Sequence, residues 1–250
     1  MTVQILVIMR KEWQDSKSTL FSYTNWLAGL WPILFFCAAF GVYEPLRVGV
    51  DWLQSPSMVL SISVLVPFVV IGSISPYAFV GERVRGTLEA LLATPVSDRA
   101  LLFGKIAAAV LFGWGLACAS LLLGAGSINF FLAHGGLLFY PPGILISTIL
   151  LSLFFSILVA TIGTAASFYA RTFLEAQRKL VLGLLLPMLL PAFWVGPLMP
   201  AAWKGVAVQM LPALATSHLL LLLLGLLLVL DGIFMIIAQT RFHRKLLLLE

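Results

Sequence analysis

The sequence predicts an all-α, polytopic membrane protein that forms a single transmembrane domain over residues 1–250. Hydrophobic residues make up 61% of the 250 positions and charged residues only 10%, and the mean hydropathy is +1.08. A soluble domain of this size carries roughly 25% charged residues. The apolar residues also occur in runs close to the roughly 20 residues that a helix needs to cross a bilayer. Composition and run length together therefore place the chain in a membrane.

The first 24 residues are predicted to form an amphipathic helix that lies in the membrane interface and then bends into the bilayer. Leu6, Met9 and Trp13 share one face of such a helix, whereas Arg10 and Lys11 lie on the other. A secretory signal peptide is not expected, because the charged residues follow the first apolar run instead of preceding it.

Six longer apolar runs follow, and each predicts one membrane-spanning helix. The uncharged block between Ile106 and Ala170 is too long for one helix, and its glycine and proline residues indicate a turn between two spans. The segment 197–216 is expected to be an outer re-entrant or interfacial pair of short helices, or a plain loop. The predicted spans are Trp26–Tyr43, Met58–Val80, Lys105–Gly124, Gly143–Tyr169, Leu180–Leu198 and His218–Ala238.

The basic residues predict that both termini lie on the cytoplasmic side of the cell (inner or plasma) membrane. With this orientation, 13 of the 15 lysine and arginine residues fall in cytoplasmic segments, and only Arg47 and Lys204 fall outside. Basic residues are enriched in the cytoplasmic loops of membrane proteins. The net charge is +5, but the basic residues recur between the apolar runs and are not clustered on one segment. This distribution argues against a nucleic-acid partner.

The longest polar interruption is the segment Gly81–Lys105, which holds seven of the 25 charged residues. Thr87 is predicted to cap a short helix that Pro95 ends, and Ser97 to cap a longer helix after it. The apolar face of the short helix is expected to lie against the bilayer or in a groove of a partner. A solvated loop between two spans is the alternative. The residues on that apolar face are Leu88, Leu91 and Leu92.

This segment resembles the first cytoplasmic loop of type-2 ABC exporter permeases, the membrane-spanning subunits of ATP-driven exporters. The similar stretch covers 24 positions, from Glu82 to Lys105. The resemblance implies that the segment is a coupling element that docks on a separate ATPase subunit. Its charges could instead hold it on the membrane surface, with the ATPase docked on Arg171–Lys179. The positions that carry the resemblance are Glu82, Arg83, Gly86, Thr87, Leu88, Glu89, Leu91, Leu92, Thr94 and Pro95.

The resemblance also implies the partners. They are two ABC ATPase subunits, which bind ATP and Mg, and a second permease copy in a homodimer or a related heterodimer. Membrane lipid is the further partner expected of this chain. The sequence has no phosphate-binding loop of the form G-x-x-x-x-G-K-[ST] and no H-E-x-x-H. We therefore expect no catalytic residue, no metal site and no cofactor bound by this chain, which would not be an enzyme.

Asp231 is the one carboxylate that is predicted to lie deep in a span. An ionised carboxylate near the centre of a membrane helix costs about 2.5–3.5 kcal/mol on insertion scales, so it is expected to face protein or water. It could belong to a substrate or ion path. It could also form a hydrogen bond with a neighbouring span or reach towards Arg241.

Two other functions are compatible with a six-span protein. An ion-coupled carrier that works without an ATPase would need buried ionisable residues or broken-helix repeats, and Asp231 alone supports it only weakly. A membrane scaffold or assembly factor would not need a polar segment that resembles a coupling element. The sequence therefore favours an exporter permease.

Overall fold

The computed structural model describes residues 2–20, 33–54, 61–132, 136–195 and 217–242, and within these ranges every regular element is helical. Five of the described helices are long and apolar enough to cross a membrane: α2, α3, α5, α6 and most of α8. The predicted all-α membrane architecture is thus confirmed. The helices are α1 (Thr2–Leu20), α2 (Ile33–Gln54), α3 (Ser61–Val84), α4 (Leu88–Leu92), α5 (Asp98–Phe131), α6 (Pro142–Ser167), α7 (Phe173–Val195) and α8 (Ser217–Arg241).

Helix α7 covers most of the fifth predicted span, so the prediction of six spans stays open at this helix. The predicted outer segment 197–216 lies outside the described residues, as does the predicted bend after residue 20.

Helix α5 is longer at both ends than the predicted span Lys105–Gly124. Its 34 residues extend about 51 Å at 1.5 Å per residue, well beyond the roughly 30 Å of a hydrocarbon core. The early start has a local cause, because the Ser97 side chain accepts a hydrogen bond of 3.3 Å from the main-chain nitrogen of Ala100. The predicted cap at Ser97 is confirmed, and the helix carries its first charged residues outside the apolar layer.

Helices α5 and α6 form the centre of the bundle. Helix α6 packs against α3, α5, α7 and α8, and α5 packs in addition against α1 and α2. Close approach of α3 to α6 depends on Gly163, since a Cβ atom there would lie 1.9 Å from the Ser75 hydroxyl. Small residues at helix contacts are typical of membrane bundles, where van der Waals packing stabilises association.

Among the described residues, the two largest apolar cores lie one towards each end of the bundle. At one end, the rings of Phe79, Phe168 and Phe242 contact one another with centroids 5.4–5.5 Å apart. At the other end, Trp52 and Tyr140 lie in a second core, where the Tyr140 hydroxyl donates to the Leu121 carbonyl over 3.0 Å. The first of these ends also holds the charged residues described below.

Candidate functional site

The polar segment Gly81–Lys105 forms a tight corner between α3 and α5, and we refer to it as the corner. Helix α3 ends in a Schellman motif, in which the main-chain nitrogens of Gly86 and Thr87 donate to the carbonyls of Arg83 and Glu82 over 3.1 and 3.0 Å. The motif needs a left-handed residue, and Gly86 supplies it with a φ of +68°. This geometry gives Gly86 a physical role in turning the chain.

Thr87 occupies the position before α4, as predicted, but its side chain does not cap that helix. Its hydroxyl donates instead to the Glu82 carboxylate, so the prediction of a threonine cap is wrong. Helix α4 ends at Leu92, ahead of Pro95, and the Thr94 hydroxyl closes it by donating to the Leu91 carbonyl over 2.6 Å.

The three leucines of α4 lie on one face, but that face points into the protein. Leu88, Leu91 and Leu92 are 5%, 9% and 6% exposed and belong to the same apolar core as Ile8 and Leu101. The expectation that they face the bilayer or a partner groove is therefore wrong. Helical spacing identified the shared face correctly, but the rest of that apolar core, which includes Ile8 of α1 and Leu101 of α5, buries it within the protein. The residues of the corner that remain exposed include Val84, Arg85, Glu89, Ala90 and Ala93.

A cluster of four charged side chains lies beneath the corner, and we refer to it as the charge cluster. The Lys11 ammonium is 2.7 Å from the Glu82 carboxylate, and the Lys105 ammonium is 2.5 Å from Glu12 and 3.7 Å from Glu82. The side chains of Glu82 and Lys105 are only 4% and 1% exposed. Two positive and two negative charges balance, which is how a protein can bury ionised groups. The cluster ties α1, α3 and α5 together.

Helix α1 departs from its predicted orientation at Lys11, which reaches inward to the charge cluster instead of facing water. Leu6, on the predicted apolar face, is 56% exposed, and Arg10 is exposed, as predicted. Ile8 is buried against α5, because a Cβ atom at Gly104 would lie 2.6 Å from it, so the two helices are in close contact.

Trp13 fixes the other end of this contact between α1 and α5. Its indole ring stacks on the ring of Phe112 in α5, with centroids 4.3 Å apart. Trp13, which the sequence predicted to lie in the membrane interface, thus packs between α1 and α5.

Arg83 connects the corner to the C-terminal end of α6. Its guanidinium donates to the carbonyls of Phe168 (3.0 Å) and Ala170, which follow the last turn of that helix. A cation at a helix C-terminus also interacts favourably with the helix dipole. Arg83 thereby brings the corner next to the second predicted contact, Arg171–Lys179, where Glu175 and Lys179 form an exposed ion pair of 2.7 Å.

Sequence reasoning missed Glu12 and Lys105 as members of the charge cluster. Lys105 lies three and four residues after the buried Leu102 and Leu101, on the same stripe of α5. A charged residue within an apolar stripe indicates a buried partner of opposite charge, and this signal was present in the sequence. Nothing in the sequence identified Glu12 as that partner, since the pairing depends on how α1 packs.

Asp231 lies in α8, away from the corner. It is 8% exposed, and among the residues that the structure describes neither of its carboxylate oxygens has a hydrogen-bond partner. The predicted contact with a neighbouring span or with Arg241 is therefore absent from the described part of the chain. Among the same residues, no group of three histidine, cysteine, aspartate or glutamate side chains could hold a metal ion.

Comparison with known proteins gives one match. A family model described as "ABC-2 family transporter protein" matches residues 10–141, which is more than half of the chain. The matched range contains the whole charge cluster and the corner, and it ends just before α6. No curated protein and no solved structure matches the chain.

Proposed function

Because the chain belongs to the ABC-2 family of transporter proteins, we propose that it is the permease subunit of an ATP-driven exporter. It lies in the cell (inner or plasma) membrane with six spans, of which α7 is the fifth, and with both termini in the cytoplasm. It pairs with a second permease copy, identical or related, to line the transport pathway. A separate ABC ATPase binds ATP and Mg and supplies the energy, so this chain is not itself an enzyme.

The corner is the coupling element, and its combination of a buried face and an exposed face carries this proposal. The leucines of α4 and the charge cluster fix the corner to α1, α3 and α5. A force on the exposed face is therefore transmitted to three helices at once, because the buried contacts leave α4 no independent freedom. An ordinary solvated loop would not be held in this way.

The exposed face of the corner offers a suitable contact for the ATPase. Val84 is 67% exposed and provides an apolar anchor, with Arg85 and Glu89 as flanking charges. At protein interfaces a buried apolar anchor contributes more binding energy than charges at the rim. The partner therefore contacts Val84 and the exposed Ala90 and Ala93, and not the leucines.

Lipid contacts complete the arrangement. Val3, Leu6 and Val7 lie on the outer side of α1 and are 56–71% exposed. These apolar side chains enter the membrane interface, while the opposite face of α1 packs on α5.

Co-purification of the ATPase with two matched permease variants tests the docking site. Val84→Asp places a charge on the corner, and Leu174→Asp makes the same type of change at the second predicted contact, where Leu174 is 70% exposed. We expect Val84→Asp to weaken ATPase binding by roughly tenfold or more and Leu174→Asp to have little effect. Both variants should insert into the membrane normally.

The reverse pattern would place the ATPase on Arg171–Lys179, and full binding by both variants would contradict docking at this end of the bundle. A second measurement addresses the energy source. Purified chain alone should hydrolyse no ATP and should gain this activity only with its partner, so hydrolysis by the isolated, contaminant-free chain would contradict the proposal.

A further inference from the structure

Helix α8 holds a carboxylate that its surroundings leave uncompensated. Asp231 is only 8% exposed, and neither of its carboxylate oxygens is hydrogen-bonded among the described residues. Helix α8 packs against α6, which carries no charged residue between Pro142 and Ser167. On α8 itself, Arg241 lies ten residues away, or about 15 Å along the helix. An ionised carboxylate in such a place is costly unless another group neutralises it.

The register of the two helices gives the depth of Asp231 relative to the residues of α6. The rings of Phe168 and Phe242 contact each other, which places the end of α6 level with the end of α8. Thr161 precedes Phe168 by seven residues, about two turns, and Asp231 precedes Phe242 by eleven residues, about three turns. Both residues therefore lie on the faces through which α6 and α8 meet. Their depths differ by roughly one helical turn.

Thr161 adds further polar atoms to this interface. It is fully buried, and its hydroxyl also has no hydrogen-bond partner among the described residues, nor has that of Thr164 one turn along. Buried polar atoms without partners cost about 1–3 kcal/mol each. Unsatisfied oxygens thus occur on both of these helices, about one helical turn apart in depth, and a cation bound to the Asp231 carboxylate would neutralise its charge.

We propose that Asp231, together with Thr161, forms an intramembrane site for a small monovalent cation, either a proton or an alkali ion. The inference rests on the proposed function only in that the chain is a transport protein. Oxygen ligands on membrane helices suit these ions, and buried carboxylates carry protons or coupling ions in other transporters. A large organic cation does not fit, because Asp231 is only 8% exposed.

Infrared difference spectroscopy on the purified chain in lipid nanodiscs tests the site without an ATPase or a transport assay. Its failure would therefore leave the proposed function untouched. The measured signal is the carbonyl stretch of a protonated carboxylic acid, which we expect to appear as the pH is lowered and to disappear as it is raised. Isotopic labelling of aspartate carboxyl groups should shift the band. Asp231→Asn should remove it, whereas Asp51→Asn, the same change at an exposed aspartate, should leave it intact.

Two ion arms separate the occupants. If Na⁺ or K⁺ added at constant pH abolishes the band, the site binds an alkali ion, and Thr161→Val should then raise the required ion concentration roughly tenfold. If neither ion affects the band, the occupant is the proton. A band that responds to neither pH nor ions, or that persists in Asp231→Asn, would overturn the proposal. If Asp231→Asn does not fold, Asp231→Glu tests the assignment, because the band should then persist but no longer shift on aspartate labelling.

Discussion

At the scale of single residues, Lys105 illustrates what is needed to keep a charged side chain inside an apolar bundle. Its ammonium contacts the carboxylates of Glu12 and Glu82, donates to the Ala78 carbonyl over 2.8 Å and lies 5.2 Å from the centre of the Phe79 ring. Desolvation of a buried ion is offset only when hydrogen bonds and opposite charges surround it in this way. Each partner is therefore important for stability.

Glu82→Gln should destabilise the folded chain by about 3 kcal/mol, because it removes the negative charge that faces the buried Lys105 and the half-buried Lys11. Glu89→Gln makes the same chemical change on the exposed side of α4 and should have almost no effect. Thermal unfolding in detergent would measure the difference. Equal midpoints for the two variants would contradict the buried charge cluster.

Leu88→Ala should cost about 2–4 kcal/mol, since it leaves a cavity in the core shared with α1 and α5. Ala90→Ser, on the exposed face of the same helix, should change stability by less than about 0.5 kcal/mol. Unfolding by denaturant would compare them. Similar stability of both variants would mean that the leucines are not covered by the protein itself, and they would then be available to a partner.

At the scale of helices, the contact between α1 and α5 determines whether the N-terminal helix moves together with α5 and the corner. Gly104→Ala should loosen this contact, because the new methyl group would lie 2.6 Å from Ile8. Gly126→Ala meets nothing within 4 Å on the same helix and should be neutral or stabilising by up to about 1 kcal/mol.

Fluorescence of the tryptophans and thermal unfolding would follow these variants. If Gly104→Ala behaves like Gly126→Ala, α1 does not pack on α5 and cannot move with it.

The helices also show how much of the site could be predicted from sequence. The spacing of Leu88, Leu91 and Leu92 identified one apolar face, and Ser97 identified the start of α5. Local rules of this kind describe a segment by itself. They could not tell what covers the face or which charge meets Lys105, because both depend on α1, which lies about 90 residues away in sequence and packs by shape against Gly104.

At the scale of the whole molecule, hydropathy predicted the membrane-spanning architecture well, because burial in lipid imposes a length and a composition on each helix. The bounds were less accurate. Helix α2 continues to Gln54, beyond the predicted end at Tyr43, and α3 continues to Val84, beyond Val80. Hydropathy marks where the apolar layer ends, whereas a helix can continue past it wherever its hydrogen bonds are satisfied.

Topology gives a prediction at the same scale. Six predicted spans, with 13 of the 15 basic residues on one side, predict that both termini lie in the cytoplasm. A reporter fused after Glu250 should therefore be active only as a cytoplasmic protein, and a reporter inserted near Gly136 should be extracytoplasmic. An extracytoplasmic C-terminus would mean either an odd number of spans or an inverted orientation, and the inverted orientation would remove the corner from the side where an ATPase can bind.

The central claim, that the corner couples the permease to an ATPase, is tested most directly by site-specific photo-cross-linking in native membranes. A photoreactive amino acid at Ala90 lies on the exposed face of α4, and one at Leu137, which is 95% exposed in the connection between α5 and α6, serves as the control. We predict that Ala90 gives an adduct with a protein that contains a G-x-x-x-x-G-K-[ST] loop, and that Leu137 does not. If Ala90 cross-links only to lipid while the ATPase is present and active, the corner is not the coupling element.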